Sequence, residues 1–216
     1  VTRTYEVTLV LDLYEKSIAD ATMTISSSNL AGEYVNSGSN KKYKMYPLKA
    51  ITSIMDDANK DGVLETFDFK SNIQSAVLTP ESNNAFSSPT TITITYTGGQ
   101  VLTIVLGTPS GLNSPGASNG GKTFSVKTDS TNGIYLQSDG AVASGSAATG
   151  TWPLTSWSFK GTSGKVITNN TQVTINFTKP SCVTPDTLVT LADGTQKRAD
   201  QLIGTEELLV WNHTTA

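Results

Sequence analysis

Cysteine and histidine are almost missing from this sequence. One cysteine in 216 residues leaves no internal disulfide and no thiolate metal cluster, and one histidine leaves no multi-histidine metal site. Charge is scarce as well: charged residues make up 15% of the chain, where a soluble domain carries roughly a quarter. Fifteen Lys+Arg against 18 Asp+Glu give a net charge of −3, so no basic surface is expected to neutralise phosphates. Neither nucleic acid nor an anionic membrane is therefore an expected partner. No run of about 18 apolar residues occurs, and membrane insertion is not expected. No nucleophile has a histidine partner and no carboxylate pair stands out, which leaves hydrolase chemistry in residues 1–180 without support.

What is present is the composition of a β protein. Hydrophobic residues at 37%, with 18 glycines and many Ser, Thr and Asn, suffice for a buried core cut by frequent turns. Tyr5 to Leu13 alternates so that Val7, Leu9, Leu11 and Leu13 share one strand face, and Ala21, Met23 and Ile25 do the same. Thr91–Tyr96 and Val101–Leu106 flank Gly98-Gly99 and read as a hairpin. Further strands are expected at 124–126, 134–137, 152–159 and 171–177, each bounded by Gly, Ser, Asn or Asp. This spacing suggests an antiparallel sandwich. Segments 107–121 and 138–150 are rich in Gly, Ser, Ala and Pro and read as loops or linkers. The β region is then one domain or two divided near 107–121.

One helix is expected, from Pro47 through Leu48, Ile51, Ile54 and Met55. It leads into Asp57-Ala58-Asn59-Lys60-Asp61-Gly62-Val63-Leu64-Glu65-Thr66-Phe67-Asp68, which sets oxygen-bearing side chains at loop positions 1, 3, 5, 9 and 12 with glycine at 6. A hard cation wants six to eight oxygen ligands, and a tightly wound loop can aim alternate residues inward to supply them. The pattern resembles EF-hand and dockerin-type calcium loops. The resemblance implies a structural Ca²⁺ held by Asp57, Asn59, Asp61, the Val63 carbonyl, Glu65 and Asp68. The same residues would also make an ordinary exposed polar turn. Asp129-Ser130-Thr131-Asn132-Gly133 reads as a turn without metal.

At Lys179-Pro180-Ser181 the pattern changes, and a domain boundary is expected near residue 180. Cys182 is followed by Asp186-Thr187 opening a strand, an Asp193-Gly194 turn, a short turn Ala199–Leu202 and a strand from Gly204 to Leu208. This order resembles the opening of Hint modules, the fold of inteins, bacterial intein-like domains and Hedgehog autoprocessing domains, over residues 182–216 only. The resemblance implies that Cys182 attacks the carbonyl of Ser181 and converts that peptide bond to a thioester, a step for which a thiol is suited. The family's Thr-x-x-His and terminal His-Asn elements cannot be placed here, and Thr205 stands where the family commonly has Asp. His213 reads as a solvated loop residue, Trp211 as packing for a missing remainder, and Asp186 as a turn former or an orienting group. Without that pattern Cys182 would read as a small inert boundary residue.

The expectation is a mainly β chain: an antiparallel β-sandwich with one short helix and a calcium loop, followed by a partial Hint β module. It opens at Val1 in mid-strand and ends at Ala216 without a stop signal, so a piece of a longer bacterial protein, extracellular or on the cell surface, is expected. Its partner would be the remaining part of the Hint domain, and the fragment alone would be inactive. The alternative is a calcium-stabilised adhesin or binding module for a surface protein or glycan, without catalysis. Trp152, Trp157 and Tyr135 are the aromatics a glycan could use, although aromatics in strands are more often core.

Overall fold

The chain is described from a computed structural model over residues 17–37, 40–116, 122–179 and 188–209. The strand expected at 5–13 lies outside these residues, as do Ser181, Cys182, Asp186, Thr187, Trp211 and His213. Two compact units form, Val1–Lys179 and Pro180–Ala216.

The first unit is mainly β. Its early strands are β1 (Thr22–Ile25), β2 (Leu30–Ala31), β3 (Glu33–Ser37), β4 (Asn40–Met45), β5 (Ile51–Asp56) and β6 (Glu65–Thr66). Then come β7 (Ile73–Pro80), β8 (Thr90–Tyr96), β9 (Val101–Leu106), β10 (Phe124–Asp129) and β11 (Gly133–Ser138). The last are β12 (Val142–Ala143), β13 (Gly150–Lys160), β14 (Val166–Asn169) and β15 (Val173–Phe177). Among the described residues they make a sheet of order β1-β5-β6, a sheet β10-β11-β4-β12 with β3 also on β4, and a sheet β2-β15-β13-β9-β8-β7 with β14 on β13. Every pair is antiparallel except β2 with β15.

The Thr-Ile alternation of β8 and the Leu-Ile alternation of β9 place Ile92, Ile94, Leu102 and Ile104 fully inside, because successive side chains of a strand point to opposite faces. Aromatic rings from different sheets meet there. Phe124 of β10 lies 4.8 Å from Trp152 of β13, and Tyr43 of β4 lies 5.3 Å from Phe177 of β15. Each buried indole N–H finds a carbonyl, Trp152 on Gly107 and Trp157 on Thr171, both at 2.9 Å, so neither ring carries an unmet donor. Both tryptophans are fully buried, and neither offers a platform to a glycan.

The expected helix is not formed. Pro47 does start a helical turn, but the turn is of the tight 3-10 kind and stops at Ala50, and Ile51–Asp56 is strand β5. Its register against β1 skips one residue: Ser53 faces Thr24 while Ile51 faces Ile25. That bulge turns Ile51 and Ile54 to the same buried side, an interval of three that in sequence imitates a helix. Strand β13 uses the same device between Leu154 and Ser156, so that Leu154 and Trp157 are both buried.

Segment 138–150, expected to be a loop, instead contributes β12 on β4 and buries Ala141, Val142 and Ala147. Small side chains fill the space there, which made the segment look like linker. Strands β9 and β13, on either side of 107–121, are neighbours in one sheet.

Candidate functional site

Strand β5 ends on Asp56 and Asp57 follows it, and both carboxylates are buried, at 2% and 0% exposure. Burying a carboxylate is costly unless hydrogen bonds replace its water, and each is served differently. Asp57 turns into the loop that follows. Its Oδ1 accepts the Asp61 N–H and its Oδ2 accepts the N–H groups of Gly62 and Ala19, each at 2.9 Å. Asn59 Oδ1 accepts the Asp61 N–H at 2.9 Å, and Asp61 Oδ1 accepts the Val63 N–H at 2.8 Å. The winding needs positive φ at Lys60 (60°) and Gly62 (84°), and glycine meets the second demand without strain.

Glu65 returns on β6 opposite Asp56, and its Oε1 accepts from Asn59 Nδ2 at 3.0 Å. Its Oε2 is buried with no hydrogen-bond partner. Asp57, Asn59, Asp61, Val63 and Glu65 thus share one loop. Asp68 does not join them: it is exposed and accepts the Lys70 N–H at 3.1 Å in the next turn. A strand rather than a helix enters the loop. Among the described residues no group of three or more His, Cys, Asp or Glu side chains is gathered closely enough to hold a metal ion. Oxygen donors up to Glu65 are of the kind a hard cation takes, although Asp57 Oδ2 already accepts two N–H groups, and Asp68 turns away to the Lys70 amide.

Asp56 points the other way, toward the ends of β9 and β13. Its Oδ2 accepts the Thr162 hydroxyl at 2.6 Å and Gln100 Nε2 at 3.0 Å, while its Oδ1 accepts the Thr162 N–H at 3.0 Å. Gln100 is 4% exposed, and its Oε1 is buried without a partner. Sequence reasoning passed over this group. The available signal was a carboxylate at an inward-facing position of β5, whose alternation buries Ile54 and Asp56 alike.

In the second unit β16 (Leu188–Thr190) pairs with β17 (Gln196–Arg198) around Asp193-Gly194. Gly194 has φ 83°, and Asp193 Oδ1 accepts the Thr195 N–H at 2.9 Å. A 3-10 turn, Ala199–Gln201, follows, then a turn at Gly204, and the chain comes back so that Leu191 bridges Leu208. Glu206 closes this return. It meets Lys197 Nζ at 2.5 Å and accepts the Ile203 and Gly204 N–H groups at 2.9 and 3.0 Å. The Lys197 ammonium, with those amides, holds its carboxyl down to about 2.

Tyr135, the remaining aromatic considered for a glycan, lies 6.0 Å from Tyr46, with Lys44 Nζ 4.3 Å from its ring centre. Comparison with protein-family models, curated proteins and solved structures finds nothing that matches the chain.

Proposed function

We propose that residues 182–216 are the opening part of a Hint autoprocessing module, and that in the complete protein Cys182 attacks the Ser181 carbonyl. The S–C bond forms, the C–N bond breaks, and the thiol proton passes to the amine that Cys182 thereby frees, leaving a thioester. Splicing, cleavage or ligation of the upstream region follows from attack by a second nucleophile. The observation that carries this reading is the hairpin Leu188–Arg198 around Asp193-Gly194, followed by a single helical turn, a glycine turn and a bridged return at Leu208. These elements come in the order that the sequence resemblance requires. The amide-polarising Thr-x-x-His is not in this sequence, so the 216-residue chain is inactive alone.

The test is a longer chain that supplies the rest of the module, or that part added as a separate polypeptide. Mass spectrometry should then find cleavage or ligation between Ser181 and Cys182, accelerated by dithiothreitol and lost in Cys182→Ala. A complete protein whose bond stays whole with and without thiol overturns the reading.

A second reading concerns the first unit alone: a calcium-stabilised β-sandwich adhesin or binding module, on a bacterial surface or secreted. It is favoured by the buried, unpartnered Glu65 Oε2 beside the Asp57 loop. On this reading Ca²⁺ draws Asp57, Asn59, Asp61, the Val63 carbonyl and Glu65 together and raises the melting temperature by mass action. The rise should vanish in Asp61→Ala. No heat of binding at millimolar Ca²⁺ would remove it.

A further inference from the structure

The buried Asp56 and Gln100 and the half-buried Thr162 bring a base, an acyl group and a nucleophile into hydrogen-bond contact. We propose that they form an intramolecular ester between Thr162 Oγ1 and Gln100 Cδ, with release of ammonia. The proposal does not depend on either reading of the preceding subsection.

Register explains why they meet. Lys160 of β13 pairs with Val101 of β9, so the residues just outside that pair, Gly161 and Gln100, come together where the sheet ends. The hairpin turn fixes Gln100, whose carbonyl accepts the Tyr96 N–H at 3.0 Å. Asp56 arrives from β5, in another sheet, and reaches the spot because residue 161 is glycine: a Cβ there would stand 2.5 Å from Asp56 Oδ1.

The chemistry lies in one oxygen. Asp56 Oδ2 is 2.6 Å from the hydroxyl that would attack and 3.0 Å from the amide nitrogen that would leave, and those two atoms are 3.3 Å apart. Oδ2 can therefore take the proton from Thr162 as Oγ1 bonds to Cδ, then hand it to Nε2 as the Cδ–Nε2 bond breaks. Hydroxyl plus primary amide gives ester plus ammonia, and the proton that Asp56 takes up it also gives back. No oxidant, metal or second substrate enters the balance. Fixed orientation of the reacting groups is worth effective molarities of about 10⁵–10⁸ M, and a positioned base adds about 10²–10⁴-fold. Such a reaction need occur only once per molecule. Asp56 and Gln100 are screened from water, which protects the product from hydrolysis. The buried, unpartnered Gln100 Oε1 is an acyl oxygen whose lone pairs no donor holds in the ground state.

The wild-type chain decides the matter. It should be expressed, kept folded, then weighed under denaturing conditions. Expected is a mass one ammonia below that of the sequence, with tryptic peptides 71–122 and 161–165 recovered as one species that alkaline hydroxylamine splits. Thr162→Val and Asp56→Asn should restore the full mass, and Thr162→Ser should keep the loss. A wild-type chain of full mass, with the two peptides separate after prolonged incubation in the folded state, overturns the proposal whatever the variants do. So does an ammonia loss that maps elsewhere or survives in Thr162→Val.

Discussion

The two units of this chain are held together by different means. In residues 1–179 the strands bury whole aromatic rings: Trp152, Trp157, Tyr43, Tyr96 and Phe159 are all less than 2% exposed. In the second unit no described residue is buried, and Leu188, Ile203, Leu208 and Leu209 stand 46% to 77% exposed. Its order rests on ladder hydrogen bonds, two glycine turns and the cluster around Glu206. Burial of apolar surface is the dominant favourable term in folding, so the first unit carries its own stability and the second lacks most of it. Exposed apolar side chains of this kind are what the proposed Hint reading would leave for the rest of its module to cover.

The contrast can be broken most forcefully in the first unit. Trp152→Ala empties a site packed by Phe86 and Phe124 and should cost about 3–5 kcal/mol, read as a lowered urea midpoint of the main transition. Gly62→Ala forces a side chain into positive φ inside the Asp57 loop and should cost about 1–2 kcal/mol by the same measurement.

The second unit should respond to pH instead. The folded Glu206 carboxyl sits at about 2, below its ordinary value, so its ionised form favours the fold. That contribution is complete above the usual carboxylate range and is lost as pH falls toward about 2. Hydrogen exchange at the Ile203 and Gly204 amides should therefore show protection at pH 6 that fades on acidification, and Glu206→Gln should lack it at both. The smallest effect sharpens the comparison: removing residues 180–216 should shift the first unit's melting temperature by no more than about 1–2 °C.

Much of the fold was legible where neighbours in sequence decide it. The Thr-Ile runs of β8 and β9 sit within a residue of expectation because strict alternation has one reading. Strand β5 was misread because its bulge gives a helical interval to residues that lie in a ladder. The β3–β4 hairpin was overlooked: Lys42 and Lys44 dominate the segment, while Tyr43 and Met45, which alternate with them, are fully buried. The winding from Asp57 to Glu65 was readable since the hydrogen bonds within it span at most six residues, whereas the Ala19 amide on Asp57 was not. Asp68 lies beyond β6, where its carboxylate accepts the Lys70 N–H, a placement that loop spacing alone does not show. Gln100 and Thr162 lie 44 and 106 positions from Asp56, and only strand register brings them to it.

The parallel pair β2–β15 has a consequence for how the molecule is made. Leu30 is bonded beside Ile175, so among the described residues one of the first strands to leave the ribosome has no strand partner until one of the last has emerged. Strand β4 can pair at once with β3, but its other edge waits for β11, some ninety residues later. Such distant closures are slow, on the order of milliseconds to seconds, since loop entropy is lost before the contacts form. The first unit completes its largest sheet only as synthesis reaches residue 177, immediately before the segment carrying Cys182. On the autoprocessing reading proposed above, the Ser181–Cys182 bond would become available only after the strands upstream of it have been synthesised.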